Sequence, residues 1–431
     1  MDGKHYRHMG VTLEEALELM RQAVGAASGK AQRAGEQEEL PLTKALGRRL
    51  WCDYMAPLDQ PPFDRSPLDG YALQASDTVG ASRACPKKLD VNQEILAGSY
   101  PSKSVGPGQA ARIMTGAPIP RGADCVIRQE DTDYGEEAVS VYQELAPYDN
   151  YCYAGEDFHR GDCLLSAGTR LWAVELGILA GMGYDRVKVY RKLRAALFST
   201  GDELAEPGEP LTPGKIYNSN LFMLRGRLEE LGIEVAAAQK LPDSEQKVAK
   251  ALEGILSKVD LIVTTGGVSV GKKDILHGAL ELLGAERIFW RVQVKPGTPT
   301  IFAMAGGIPI LALSGNPFGA LTHLELLGRP LLAMLTGDYS LEAKRFRAVL
   351  MDDFPKGGSM RRIVRGFCQE GKVYLPKGLH SSGCLSSMQG CNCLMDLPAG
   401  SRGPAAGEEV SVLLLGQKEQ IPGWALEGGA V

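Results

Sequence analysis

Residues 260–274, DLIVTTGGVSVGKKD, bring two adjacent glycines, several hydroxyl side chains, two lysines and an aspartate into one short stretch. Gly266 and Gly267 have no side chains, so backbone N–H groups there can approach a ligand closely. The helix beginning near Asp274 would turn its positive end toward the same spot. Such a turn suits an oxyanion. Lys272 and Lys273 add countercharge to a phosphate or phosphate-like group, and Asp274 can hold a divalent cation bridging to it. A tight strand-to-helix turn with solvated lysines is spelled with the same letters. Two further stretches decide between these readings. FSTGDE at 198–203 and LSGNP at 313–317 each leave an apolar run through Ser or Thr and then Gly, as TTGGVS does at 264–269. Three such exits on one sheet edge would bring Thr200, Gly201, Gly266, Gly267, Ser269, Ser314, Gly315 and Asn316 to one crevice. Asp202, Glu203 and Asp274 would then stand beside Lys272, Lys273 and Lys295. Oxygen ligands near lysines suit Mg²⁺ bridging phosphate oxygens, a Lewis acid for a transferring or leaving group. With six histidines and no Ser-His-Asp or Cys-His arrangement standing out, covalent catalysis is not favoured.

The elements that must position these residues follow from periodicity. Residues 260–265 are apolar and β-branched, the mark of a strand covered on both faces. Across 188–336, strands at 194–199, 233–238 and 309–313 alternate with helices. One helix has Leu221, Leu224, Leu228 and Leu231 on one face, another has Val248, Leu252, Ile255 and Leu256, and a third spans 318–335. This predicts a doubly wound, mainly parallel sheet with helices on both faces, whose ligands bind beyond the carboxyl ends of the strands. Residues 286–294 and 300–304 read as a hairpin. Asn218 or Asn220 caps the first of these helices, and Asp243 with Gln246 forms a capping box for the second.

The flanks differ in character. Thr12-Leu13-Glu14-Glu15 is a capping box that opens an amphipathic first helix. From 57 to 147 many short alternating runs are bounded by Gly, Pro and Asp, a β-rich insert domain. Residues 1–56 with 148–187 form the discontinuous domain that the insert interrupts, and 341–416 return to short strands, a small antiparallel barrel or sandwich. Within PPFDRSPLDGYAL, Asp69 before Gly reads first as a turn former. Thr115 is equally a cap or a ligand contact, and adjacent Glu156 and Asp157 read as solvent-facing.

The 431 residues are 44% hydrophobic and 23% charged, with 52 Gly and 25 Pro, the profile of a folded multidomain chain. A net charge of −5 offers no basic field for nucleic acid, so any anion must be captured locally. Nine cysteines, without a CxxC pair or a signal peptide, point to reduced thiols in the cytoplasm. Cys391 and Cys393 read as same-face strand positions rather than metal ligands. Residues 296–322 carry no charge, yet repeated Pro and Gly exclude a membrane span.

Seven signatures in order, PPFDRSPLDGYA at 61–72, RIMTGAPIP at 112–120, GED at 155–157, FSTGDEL at 198–204, TTGGVSVGKKD at 264–274, KPGTP at 295–299 and SGNPFGA at 314–320, carry a resemblance. The chain resembles the molybdopterin molybdenumtransferase family, the molybdenum insertases that include MoeA and the C-terminal part of gephyrin. The resemblance implies an elongated homodimer of four-domain chains with a molybdopterin-binding α/β domain. It implies insertion of molybdate into adenylylated molybdopterin with Mg²⁺, giving molybdenum cofactor and AMP. A molybdopterin adenylyltransferase and apo-molybdoenzymes are the partners that chemistry calls for.

The resemblance also assigns Asp69, Thr115 and Asp157 to the active crevice, Asp69 with Glu203, Asp274 and Lys295 being catalytic candidates. It makes Asp202, Glu203, Asp243 and Asp274 metal candidates and gives Lys295 and Pro317 to the molybdate and pterin-phosphate surface. Arg365 and Ser382 would reach in from the last domain, and Arg291 stands where a lysine is common. Ser314 replaces a usual proline, and Tyr151-Cys152-Tyr153-Ala154 replaces frequent arginines, which weakens anion attraction there. Alternatives are a molybdopterin adenylyltransferase using ATP, a non-catalytic pterin-binding scaffold, and a tungstate-handling paralogue.

Overall fold

A computed structural model describes residues 6–27, 36–268, 275–377 and 381–416. Ser269, Lys272, Lys273 and Asp274 lie outside the described residues. The chain divides into two compact units, Met1–Gln37 with Tyr190–Val431, and Glu38–Val189.

The first unit is built on a seven-stranded sheet in the spatial order His8–Val11, Glu286–Val292, Ile301–Ala305, Ile308–Leu313, Leu261–Thr265, Arg194–Thr200, Glu234–Leu241. All neighbours run parallel except the two pairs made by Ile301–Ala305, which is antiparallel to both its flanks. The three inner strands Leu261–Thr265, Ile301–Ala305 and Ile308–Leu313 are buried at every position, which is why they read as unbroken apolar runs. Alternation along Arg194–Thr200 sends Ala195 and Leu197 to one face and Ala196 and Phe198 to the other. Leu221, Leu224, Leu228, Met20 and Leu331 cover the first face, and Val248, Leu252, Leu276 and Leu280 the second. The sheet is thus doubly wound.

The first helix, Leu13–Ala26, starts with the expected capping box. Its location differs from the sequence reading, which grouped it with residues 148–187. The preceding strand pairs Val11 with Val292, so the apolar stripe of Ala16 and Met20 packs on the α/β sheet.

A second sheet of the same unit closes on itself. Arg361–Gln369, Lys372–Tyr374, Arg345–Leu350, Glu409–Leu414 and Cys393–Leu397 pair in turn, and the last pairs with the first, giving a five-stranded barrel filled by Leu350, Val364, Val373, Met395 and Val412. A sixth strand, Val294–Lys295, leaves the neighbourhood of the α/β sheet and lies parallel to the barrel at Arg361 and Arg362.

The second unit centres on a five-stranded sheet ordered Cys125–Arg128, Gly70–Leu73, Gln109–Ile113, Lys87–Ile95, Ala138–Val141. Its Gly70 has a backbone reason to be glycine, because a Cβ there would stand 1.8 Å from the Ile127 carbonyl oxygen. A short helix, Ala173–Gly181, buries Leu179 and leaves Trp172 and Val174 56% and 70% exposed. Among the described residues no helix is long and apolar enough to cross a membrane.

Candidate active site

The three glycine-bearing strand ends meet. Gly266 N–H donates to the Leu313 carbonyl at 3.1 Å, and a Cβ on Gly315 would lie 3.6 Å from Gly266 Cα. Gly266 has φ +93, and a Cβ on it would stand 2.4 Å from the Thr200 carbonyl oxygen, so the three exits close up only with glycine there. The Thr265 hydroxyl donates to the Ser314 carbonyl at 2.9 Å. Asn220 Nδ2 spans two of these strand ends, reaching Thr265 Oγ1 at 3.0 Å and the Gly315 carbonyl at 2.7 Å. Asn218 Nδ2 donates to Ser199 Oγ at 2.8 Å. Neither asparagine caps the helix through its side chain, the role expected of them; they brace the strand ends instead.

Together the exits enclose a hollow of about 530 Å³ whose walls include Thr200, Gly201, Glu203, Asp243, Gly267 and Pro317. Thr200 Oγ1 is buried there with no hydrogen-bond partner among the described residues, an orphan that a ligand acceptor or donor would satisfy.

The acidic residues sit on one side of this hollow. Glu203 folds back so that its carboxylate oxygens lie 2.6 and 2.7 Å from where a Gly201 Cβ would be. Asp243 is not the helix cap. Ser244 takes that position and accepts from Lys247 N at 3.4 Å, one residue beyond the expected start. Asp243 is thereby released to accept from Asp202 N at 3.1 Å, while Asp202 Oδ1 accepts from Asp243 N at 3.4 Å and the Asp202 carbonyl accepts from Lys215 Nζ. Glu203 and Asp243 line the hollow; Asp202 stands outside its lining. Among the described residues no three His, Cys, Asp or Glu are grouped to hold a metal alone. Two carboxylates still fit Mg²⁺, which keeps several waters and takes its remaining oxygens from substrate phosphates.

A second hollow of about 360 Å³ adjoins the first, and Pro299, Ser314 and Asn316 line both. Lys295, Lys356, Arg362 and Arg365 line it with no carboxylate, whereas Glu203 and Asp243 are the charged residues among those lining the first. Arg362 Nε is buried without a hydrogen-bond partner among the described residues. Arg365 is 1% exposed, its guanidinium 4.4 Å from the Phe318 ring centroid and donating to the Ser381 carbonyl at 3.0 Å. Burial holds its pKa below the ordinary arginine value. Ser382 lines the same wall. The sequence reading missed Lys356 and Arg362, which enter from the barrel without a glycine motif to mark them.

The loop that carries Lys295 rests on a buried histidine. Thr300 Oγ1 is 2.6 Å from His323 Nδ1, and a Cβ on Gly297 would come within 2.6 Å of the ring. Burial pushes the His323 imidazole down from 6.5 to about 4. Above pH 6.5 both folded and unfolded chains hold it neutral. As pH falls toward 4 only the unfolded chain takes the proton, so about 3 kcal/mol of stability is lost across that window. Urea unfolding at pH 7 and pH 4.5 checks this, and His323→Gln should flatten the decline.

Arg291 belongs to neither hollow. Its backbone is left-handed (φ 69) and its guanidinium lies 5.8 Å from the Trp290 ring centroid. Trp290 makes the contact with the glycine loop, its indole N–H donating to the Val268 carbonyl at 3.1 Å.

The remaining candidates lie in the second unit, where three signatures gather. Asp69 Oδ1 accepts from both the hydroxyl and the N–H of Thr115 at 2.7 Å, and those bonds, the hydroxyl first, hold its carboxyl below the ordinary range. Asp69 is thus a bracket as well as a turn residue. Ser66 N donates to the Ala117 carbonyl at 3.0 Å, and Asp157 N donates to the Gln60 carbonyl at 2.9 Å, leaving the Asp157 side chain exposed.

The comparisons with known proteins cover this same architecture. The MoeA N-terminal region (domain I and II) matches residues 11–183, the probable molybdopterin binding domain matches 196–334, and the MoeA C-terminal region (domain IV) matches 347–415. The chain belongs to the MoeA family. A MoeA-family relative, the molybdopterin molybdenumtransferase of Bacillus subtilis, is 39% identical over 391 residues, covering 89% of this chain and 91% of the relative. One from Staphylococcus aureus strain Mu50, with the same name, is 36% identical over 376 residues, covering 86% and 90%. The crystal structure of the molybdopterin biosynthesis MoeA protein of Pyrococcus horikoshii matches with a TM-score of 0.81 at 32% identity, over 95% of this chain and all of that one.

Proposed function

We propose that this chain is a molybdenum insertase, a transferase that takes adenylylated molybdopterin and molybdate to molybdenum cofactor and AMP. One observation carries the reading: two hollows share a wall, one lined by carboxylates and strand-end amides, the other by four cations. A tetrahedral dianion such as molybdate suits the cationic hollow, and a phosphate-bearing pterin suits its neighbour. Stacking on Phe318 and the bond to the Ser381 carbonyl fix the guanidinium plane of Arg365. Thr200 and the Gly267 amide bind and orient the substrate phosphates, the Gly266 amide being taken by the Leu313 carbonyl, and Asn220 keeps the strand ends from spreading. Glu203 and Asp243, with Asp274 from the sequence, would hold Mg²⁺, which supplies polarisation of the phosphoanhydride when bound.

In this reading the enzyme is a cytoplasmic homodimer. The exposed apolar residues of the helix Ala173–Gly181 support burial against a second copy. Asp69, bracketed by Thr115, and the exposed Asp157 would serve the site of a partner subunit. Lys356, Arg362 and Arg365 come from the barrel, and a four-cation hollow beside the carboxylate-lined one provides for a second anionic substrate, which an insertase has in molybdate.

The test supplies purified protein with adenylylated molybdopterin, Mg²⁺ and molybdate, then measures AMP and reconstitution of an apo-molybdoenzyme. AMP release with reconstitution is expected. ATP consumption with unloaded molybdopterin would favour the adenylyltransferase, and no AMP with molybdate or tungstate would defeat the insertase.

A further inference from the structure

Residues 148–153 of the second unit turn through two left-handed positions, Tyr148 (φ 69) and Asn150 (φ 54), and the turn gathers three tyrosines. Ring centroids are 5.5 Å apart for Tyr148 and Tyr151, 5.6 Å for Tyr148 and Tyr153, and 5.0 Å for Tyr151 and Tyr153. Cys152 pairs with Arg65 through backbone bonds of 2.9 and 3.1 Å, so the extended backbone puts Tyr151 and Tyr153 on one side and Cys152 on the other. The cluster is anchored at its base. Tyr151 donates its hydroxyl to Asp64 Oδ2 at 2.6 Å, and Ala154 N donates to Asp64 Oδ1 at 2.8 Å. The outer rings remain open to solvent, Tyr148 being 56% and Tyr153 48% exposed.

We propose that the exposed faces of Tyr148 and Tyr153, tilted 39° to each other with Tyr151 edge-on to Tyr148 at 88°, form a stacking platform for a planar, fused heterocycle bearing an amino group, which Asp64 receives. This rests on the insertase reading for the ligand, whose adenine and pterin both have that chemistry. Charge chooses the class. No basic side chain lies between 148 and 154, and Arg65 pairs with Cys152, which faces away from Tyr151 and Tyr153, so the rings themselves present no positive charge to a phosphate or molybdate. Exposed aromatic faces hold a flat ring of any sequence, and a carboxylate with two of its roughly four acceptor positions used has room for an N–H donor.

The test titrates the full-length protein with AMP, with ribose 5-phosphate and with pterin, by equilibrium dialysis. AMP or pterin binds roughly tenfold or more tighter than ribose 5-phosphate, the better of the two identifying which ring occupies the platform. Tyr148→Ser and Tyr153→Ser each weaken that ring about fivefold or more, Tyr148→Phe and Tyr153→Phe keep it within about twofold, and ribose 5-phosphate is unmoved. Serine variants that hold both rings as tightly as the unaltered chain overturn the platform. The insertase reading is scored separately by AMP release from the unaltered chain: turnover with an unchanged KM in the serine variants removes the platform and keeps the insertase, while ring-dependent binding without turnover does the reverse.

Discussion

Glu203→Gln should lower AMP release by about a hundredfold to a thousandfold while leaving thermal unfolding where it was. The substitution keeps size and removes charge. Glu203 is exposed at the mouth of the first hollow, so its contribution to folding is small. Its carboxylate is nevertheless held in place, turned back over Gly201, where the left-handed φ of +152 leaves the space free. A carboxylate so placed beside Asp243 is positioned for a cation shared with the substrate phosphates, and a neutral amide is a far poorer ligand for Mg²⁺. Single-turnover measurement of AMP gives the result directly. Release within about threefold of the unaltered chain would remove Glu203 from the chemistry.

Gly266→Val acts through the fold instead. Valine at φ +93 carries backbone strain of about 1–3 kcal/mol, and its Cβ would stand 2.4 Å from the Thr200 carbonyl oxygen, adding an overpacking cost of about 1–3 kcal/mol. The loss in urea unfolding should therefore total about 2–6 kcal/mol, with AMP binding weakened as the strand ends separate. Gly306→Ala is the control. It shares a left-handed backbone at φ +57 but would meet nothing within 4 Å, so its cost stays near 1 kcal/mol. Equal losses in the two variants would show that the close approach at Gly266 contributes nothing.

The strand ends were legible because a β-branched run followed at once by glycine has few other meanings, and the buried inner strands were legible because both faces are covered. The hairpin at 286–304 followed from short alternating runs, which left the last domain as an antiparallel barrel or a sandwich; its closure and the parallel pairing of Arg345–Leu350 with Lys372–Tyr374 were not legible. The first helix was legible as a helix but not in its location, since an amphipathic stripe says that something covers it and not which sheet does. Asp243 and Ser244 are adjacent residues with equal capping chemistry, and a shift of one residue exchanged a cap for a site carboxylate. Asn220 looked like a cap because the helix follows it, yet its amide points across to Thr265 and Gly315. Arg291 has a left-handed backbone inside a strand run and lies over Trp290, outside the residues that line either hollow, a placement that strand periodicity does not reveal. Lys356 and Arg362 come from the barrel, far along the chain from the sheet they serve, and nothing local marks a lysine in a coil as part of a cationic wall.

Val294 and Lys295 give the barrel a consequence beyond its own stability. Their backbone is stitched to Arg361 and Arg362 on one side, while the chain just before them is a strand of the α/β sheet. Cutting the chain after the last helix would therefore do more than trim an appendage: it would unfasten the segment that presents Lys295 and take three of the four positive charges with it. The remnant would keep a place for the nucleotide-like half of its substrate and have no grip on the oxyanion, a receiver without a donor.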